Sequence, residues 1–238
     1  MYSHRRHRAK SNRRSTKTKR RSFSKATSVN HSLRERAKAR RAIAPRNPIG
    51  SFDPPEDWYE ATGEKGYRVI VREPGNGYRH VVTPEQVKSR LSRLPKGFLT
   101  DLEVVQLCTM TRKKEHSPCY GLQWGQAIYL YPFEETLDEY FLAPPPRSLV
   151  IETRMYGGRW DLSEPGVWRL VWTESSARDF QLNNVLIHEL GHLVDKRNTN
   201  YIDQERFAEW FAVEYGYRGT GGMGKRRPNR KVRRRHHK

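Results

Sequence analysis

The chain has 238 residues, with 46 Lys and Arg against 26 Asp and Glu, for a formal charge of +20. The charge sits at the ends: residues 1–48 carry +16 and residues 217–238 carry +10, while residues 49–216 carry −6. The acidic body is long enough for one proper core, and no run approaches the roughly 18–20 apolar residues that span a bilayer.

Residues 1–48 read as a disordered basic tail, because they are almost bare of large apolar side chains. Ser32–Ala44 carries the pattern of a short basic helix that forms on a partner. No apolar stretch of signal-peptide length follows the first charges, which argues against Sec-type secretion; an Arg- and Ser-rich transit peptide is the competing reading of residues 1–30. Pro45–Asp57 holds four prolines and reads as the linker into the body.

Within the body, Tyr67–Arg72 and Tyr78–Val82 flank the turn-forming EPGNG and predict a β-hairpin. Thr83, Pro84 and Gln86 form a capping box for a helix that runs to about Arg93, ahead of Pro95. Strands are expected at Asp101–Thr111, Gly125–Tyr131, Arg147–Thr153 and Gly166–Thr173. Glu134, Glu135, Asp138 and Glu139 fall in or beside an inserted loop that ends in Pro144–Pro146. Two helices close the body, one over about Glu174–Arg197 and one over about Asp203–Tyr215, with Asn198–Tyr201 as the turn and Gly216 as the stop. The order is helix, strands, helix, helix, an α+β body. Residues 217–238 form a second disordered basic tail.

The string that carries chemistry is Val185–Asp195, VLIHELGHLVD, an HExxH within a helical segment. Four residues on a helix turn about 40° and rise about 6 Å. His188 and His192 therefore leave one face, close enough to share a metal ion. Glu189, turned about 100° away, can reach a water on that ion without ligating it. This is the arrangement of a zinc hydrolase, with Glu189 as the catalytic base.

Zinc needs a third protein ligand, and Asp195, Glu205, Glu209 and Glu214 compete for the role. Asp195 lies too far along the axis for its short side chain and is read as a carboxylate that either supports a metal ligand from behind or stabilises the turn. If the chain reverses near residue 200, His192 faces roughly residue 208 and His188 roughly residue 212. Glu209 then falls between them and is preferred, with Glu205, a turn nearer the reversal, as the alternative.

HELGHLVD followed by AEWFAVEY at residues 208–215 resembles the gluzincin branch of zinc metallopeptidases, in particular the catalytic core of the anthrax lethal-factor type. The short connection between His192 and Glu209 is similar to the minigluzincin arrangement. The matched strings cover about 16 residues, and the order of elements extends the likeness over about residues 83–215. The resemblance implies a zincin-like, minigluzincin core: a backing helix, a small mixed sheet, the HExxH helix and a glutamate helix. It implies His188, His192 and Glu209 as zinc ligands and Glu189 as general base. That family often places a Tyr upstream of the ligand glutamate to stabilise the oxyanion; Tyr201 is nearby at a different offset. An edge strand, Arg147–Thr153 or Gly166–Thr173, would hold a peptide substrate by strand addition.

The ends form a second constellation. Arg226, Arg227, Arg230, Lys231, Arg233, Arg234 and Arg235 suit phosphate binding by counterion release, without base specificity, on nucleic acid or another polyanion. Cys108 and Cys119 make neither a disulfide framework nor a CxxC pair and read as reduced thiols of an intracellular, cytoplasmic protein, nuclear in a eukaryote. The expected function is a zinc metallopeptidase held near nucleic acid by its tails. The alternative is a non-catalytic nucleic-acid-binding protein on the same scaffold, which the presence of Glu189 argues against.

Overall fold

The computed structural model describes residues 54–112, 114 and 119–221. The tail arginines, Lys231, the Ser32–Ala44 helix and most of the Pro45–Asp57 linker lie outside those residues. What is described is an α+β body of small sheets and helices. None of its helices is long and apolar enough to cross a membrane.

The main sheet has strand order β1-β3-β5-β4, from β1 (Arg68–Val71), β3 (Val104–Leu107), β4 (Gly121–Trp124) and β5 (Ala127–Leu130). β1, β3 and β5 run parallel, and β4 is the antiparallel edge. Val104–Leu107 and Ala127–Leu130 are buried throughout, as expected of strands covered on both faces. β2 (Tyr78–Arg79) pairs antiparallel with β6 (Phe133–Glu134). The third sheet has the order β7-β9-β8, from β7 (Asp138–Phe141), β8 (Arg159–Glu164) and β9 (Val167–Val171).

The helices are α1 (Pro84–Leu91), α2 (Arg147–Met155), α3 (Glu174–Phe180), α4 (Leu186–Val194) and α5 (Tyr201–Phe211). A π-helical segment, Gln181–Val185, joins α3 to α4 without a break, and another, Ala212–Arg218, extends α5. Thr83 caps α1 with the full capping box that the sequence predicts.

Several expectations need correction. Tyr67–Arg72 and Tyr78–Val82 do not pair with each other. The turn between them exists, with Gly75 and Gly77 at φ +96° and +79°, but β1 joins the buried strand β3 and β2 joins β6. Arg147–Thr153 is helix α2 and not a strand. Its β-like Leu-Val-Ile run follows Pro144–Pro146 into a first helical turn, and the Thr153 hydroxyl donates to the Leu149 carbonyl at 2.7 Å, an i−4 bond. The acidic stretch is partly strand: Glu139 is buried in β7, where its carboxylate accepts from Tyr120 Oη at 2.9 Å and Trp172 Nε1 at 3.0 Å. β4 and β8 are strands that the sequence reading misses. Gly216 does not stop the last helix. It lies in the second π segment, where an added Cβ would fall 1.8 Å from the Asn183 carbonyl oxygen.

The core fills the space between the main sheet and α1, α3 and α4. Val87, Leu91, Ile128, Leu130, Leu186, Ile187 and Leu190 are fully enclosed there. The same packing presses the apolar face of α4 inward and leaves its histidine face against α5 and β4.

Candidate metal centre

α4 ends at Val194, three residues before the expected stop at Arg197. Asp195 takes an extended conformation at the C-cap. Its carboxylate accepts from the backbone N–H of Arg197 at 3.1 Å and of Asn198 at 3.2 Å, and from Asn198 Nδ2 at 2.8 Å. Gln204 Nε2 donates to the Asn198 carbonyl at 3.1 Å, tying α5 to the same turn. Asn200 caps α5 by accepting from the Asp203 N–H at 2.9 Å. Asp195 is thus the turn-stabilising carboxylate that the sequence predicts.

The early stop decides the third ligand. The reversal is centred between Val194 and Tyr201, and so near residue 197 or 198 and not near residue 200. The position mirroring the middle of the His188–His192 pair is then Glu205. Its carboxylate oxygens lie 3.5 Å from His188 Nε2 and 3.3 Å from His192 Nε2, and the two Nε2 atoms are 3.1 Å apart. One donor atom from each of the three side chains lies within 4.8 Å of the others, a group that could hold a metal ion. Glu209, the preferred ligand on sequence grounds, is one helical turn further along α5 with an exposed side chain, outside this group. The alternative, Glu205, occupies the position.

The electrostatics match this convergence. Burial pulls the His188 pKa down, but the Glu205 carboxylate and the charges of Glu189 and Glu152 outweigh it and bring it to about 8. Burial would raise Glu205, yet its hydrogen bonds with His188 and His192 hold it down at about 2. His188 and Glu205 thus favour the oppositely charged, hydrogen-bonded pair.

Glu189 is buried beside the pair. Burial raises its pKa against the pull of both histidines and of the Gln123 backbone N–H. A glycine makes room for it. A Cβ on Gly121 would come within 2.6 Å of Val185 Cγ1, 2.9 Å of Glu189 Cγ and 3.0 Å of Glu189 Oε1. β4 can thus lie directly against α4 only because residue 121 has no side chain. The sequence reading misses Gly121, whose one signal is a glycine inside a short apolar stretch. Gly191 plays the same part toward α5, since a Cβ there would fall 2.9 Å from Ala208 Cα.

The three-residue group and Glu189 open into a cavity of about 470 Å³, walled by β4, α2, α4 and the start of α5. Trp124, Leu122, Glu152, Asn184 and Tyr201 are among its lining. Tyr201 is therefore at the cleft, as the sequence reading requires of it. Burial and the charges of Glu205 and Glu209 raise its pKa, which keeps its hydroxyl protonated. The strand beside the site is β4. Neither Arg147–Thr153, which is a helix, nor Gly166–Thr173, which holds the central strand of the third sheet, takes that place. Cys108 and Cys119 are both free thiols, and burial pushes Cys108 up to about 12.

Comparison of the chain with protein-family models, with curated proteins and with solved structures finds no match.

Proposed function

We propose that the chain is a zinc-dependent metallopeptidase with a zincin-like core, in which His188, His192 and Glu205 hold the metal and Glu189 is the general base. The observation that carries this reading is the convergence of two imidazoles and one carboxylate, with a second carboxylate buried beside them at the wall of a cleft. Two His and one Glu with an open position is a donor set that catalytic zinc takes. Bound there, the ion would act as a Lewis acid and lower the pKa of water toward about 7.

The chain's own residues supply the rest. Glu189 takes a proton from the attacking water and hands it to the departing amine. Burial keeps its carboxylate basic enough for the first step. Tyr201, a protonated phenol of the cleft lining, would donate to the developing oxyanion. Among the described residues β4 pairs with one strand, β5, so its other edge would add an extended peptide as a further strand. The basic ends would hold this enzyme near nucleic acid.

The test separates metal binding from chemistry. Glu189→Gln should keep near-stoichiometric zinc by elemental analysis and lose the roughly 10²–10⁴-fold typical of a removed general base. Cleavage of a proteome-derived peptide mixture by the variant at the wild-type rate would remove Glu189 from the mechanism.

A further inference from the structure

We infer that Glu152 sets the substrate preference of the cleft: its carboxylate receives a positive charge of the peptide beside the bond to be cut, either a free α-ammonium or a Lys or Arg side chain. The inference rests on the peptidase reading and names the substrate class for that same site.

Glu152 is the carboxylate of the cleft lining that the proposed metal site and proton transfer leave without a task. His188, His192 and Glu205 face the metal position, and Glu189 carries the proton. Glu152 comes from a different element, α2, which contributes no ligand. Burial, with the charges of Glu209 and Glu205, raises the pKa of its half-buried carboxylate against the charge of His188 and a hydrogen bond from Asn184, so the group lacks a cation that would hold it ionised. It therefore stands at the metal group without belonging to it.

Charge accounting gives the sign of the ligand. A divalent cation balances the two carboxylates of Glu189 and Glu205. Glu152 adds a further carboxylate, and among the described residues no lysine or arginine lines the cavity beside it. A carboxylate withdrawn from water and left without a cation is costly. A cationic group of the substrate offsets that cost, and a neutral group of the same shape does not. The remaining lining suits such a group, because Trp124 and Leu122 offer apolar surface to an aliphatic stem. An acidic substrate would meet Glu152 with like charge, which adds discrimination by repulsion.

The experiment uses the full chain loaded with zinc, as wild type and as Glu152→Gln, on matched peptides. One series compares Lys and Arg with norleucine at each position flanking the cleaved bond. A second compares free with acetylated N-termini. Wild type should favour the cationic member by about 10–10²-fold in kcat/KM, and in Glu152→Gln that ratio should fall to near one with zinc content and melting temperature retained. Loss of the preference on acetylation identifies the α-ammonium as the ligand; loss on norleucine substitution identifies the side chain. A probe independent of the variant is n-butylammonium, which should inhibit wild type competitively where n-butanol does not. A preference that survives in Glu152→Gln, or cleavage by wild type with no preference and no inhibition by n-butylammonium, overturns the assignment. If zinc-loaded wild type cuts no peptide at all, the peptidase reading itself falls, and this inference with it.

Discussion

Glu205 and Glu209 are one helical turn apart, and only one of them reaches the histidines. Glu205→Ala should abolish stoichiometric zinc binding, and Glu209→Ala should keep it, both read by elemental analysis. The reverse result would restore the assignment that the AEWF string suggests. The ionisation of the site adds a pH dependence. In the metal-free chain His188 titrates at about 8, above its ordinary 6.5, so a proton competes with the cation below that value. Zinc affinity should therefore climb as pH rises and level off above about 8. The stability contributed by the His188–Glu205 pair runs the other way. For His188 it is complete below 6.5 and lost as pH rises through about 8. For Glu205 it is complete above 4.5 and lost as pH falls through about 2. Thermal melts of metal-free protein should thus weaken between pH 6.5 and 8 while zinc affinity strengthens.

At the scale of elements, the site depends on how closely α5 and β4 approach α4. Gly191 permits the first approach. In Gly191→Ala the new methyl meets backbone at Ala208, which no side-chain rotation relieves. We expect a loss of about 1–3 kcal/mol of stability and weaker zinc binding, because Glu205 retreats with α5; denaturant melts and metal titration check both. The same scale explains what could be read from the chain alone. HExxH is legible because helix geometry places His188, Glu189 and His192 with no help from the rest of the fold. The capping box at Thr83 is legible for the same reason. Glu205 is not, because its place depends on where α4 stops, and there the backbone N–H groups of Arg197 and Asn198 donate to the Asp195 carboxylate. The parallel pairing of β1 with β3 is a long-range choice that a Gly-rich turn after β1 disguises as a hairpin. In α2, the Leu149-Val150-Ile151 run carries strand propensity that three preceding prolines and tertiary packing override. β4 lacks any β-branched residue, so its place at the cleft leaves no mark in the sequence.

For the molecule as a whole, the division of charge predicts a division of labour. Attraction to nucleic acid should belong to the ends, +16 over residues 1–48 and +9 over residues 222–238. The full chain should bind DNA and RNA with little sequence preference and release them steeply as salt rises. A shortened chain of residues 49–221 should keep zinc and lose nearly all of that affinity in anisotropy titrations. The cut is placed at 221 because Tyr217 still belongs to the body, its ring packing edge-on against Tyr156 at 5.5 Å. Equal binding by the two chains would assign the attraction to the body. The two π segments give the body a further property. A π turn accommodates one residue more than the α turn that it replaces. Residues 181–185 thus hold a surplus residue ahead of the histidines. Deleting Leu182 would let the helix from Glu174 to Val194 close into an unbroken α-helix with both its ends still facing as they do now. Deleting Leu190 instead would swing everything after it by about 100° and carry His192 off the shared face. The chain can therefore lose one residue ahead of the histidines and not between them, so a deletion within residues 181–185 is a change that the site can absorb.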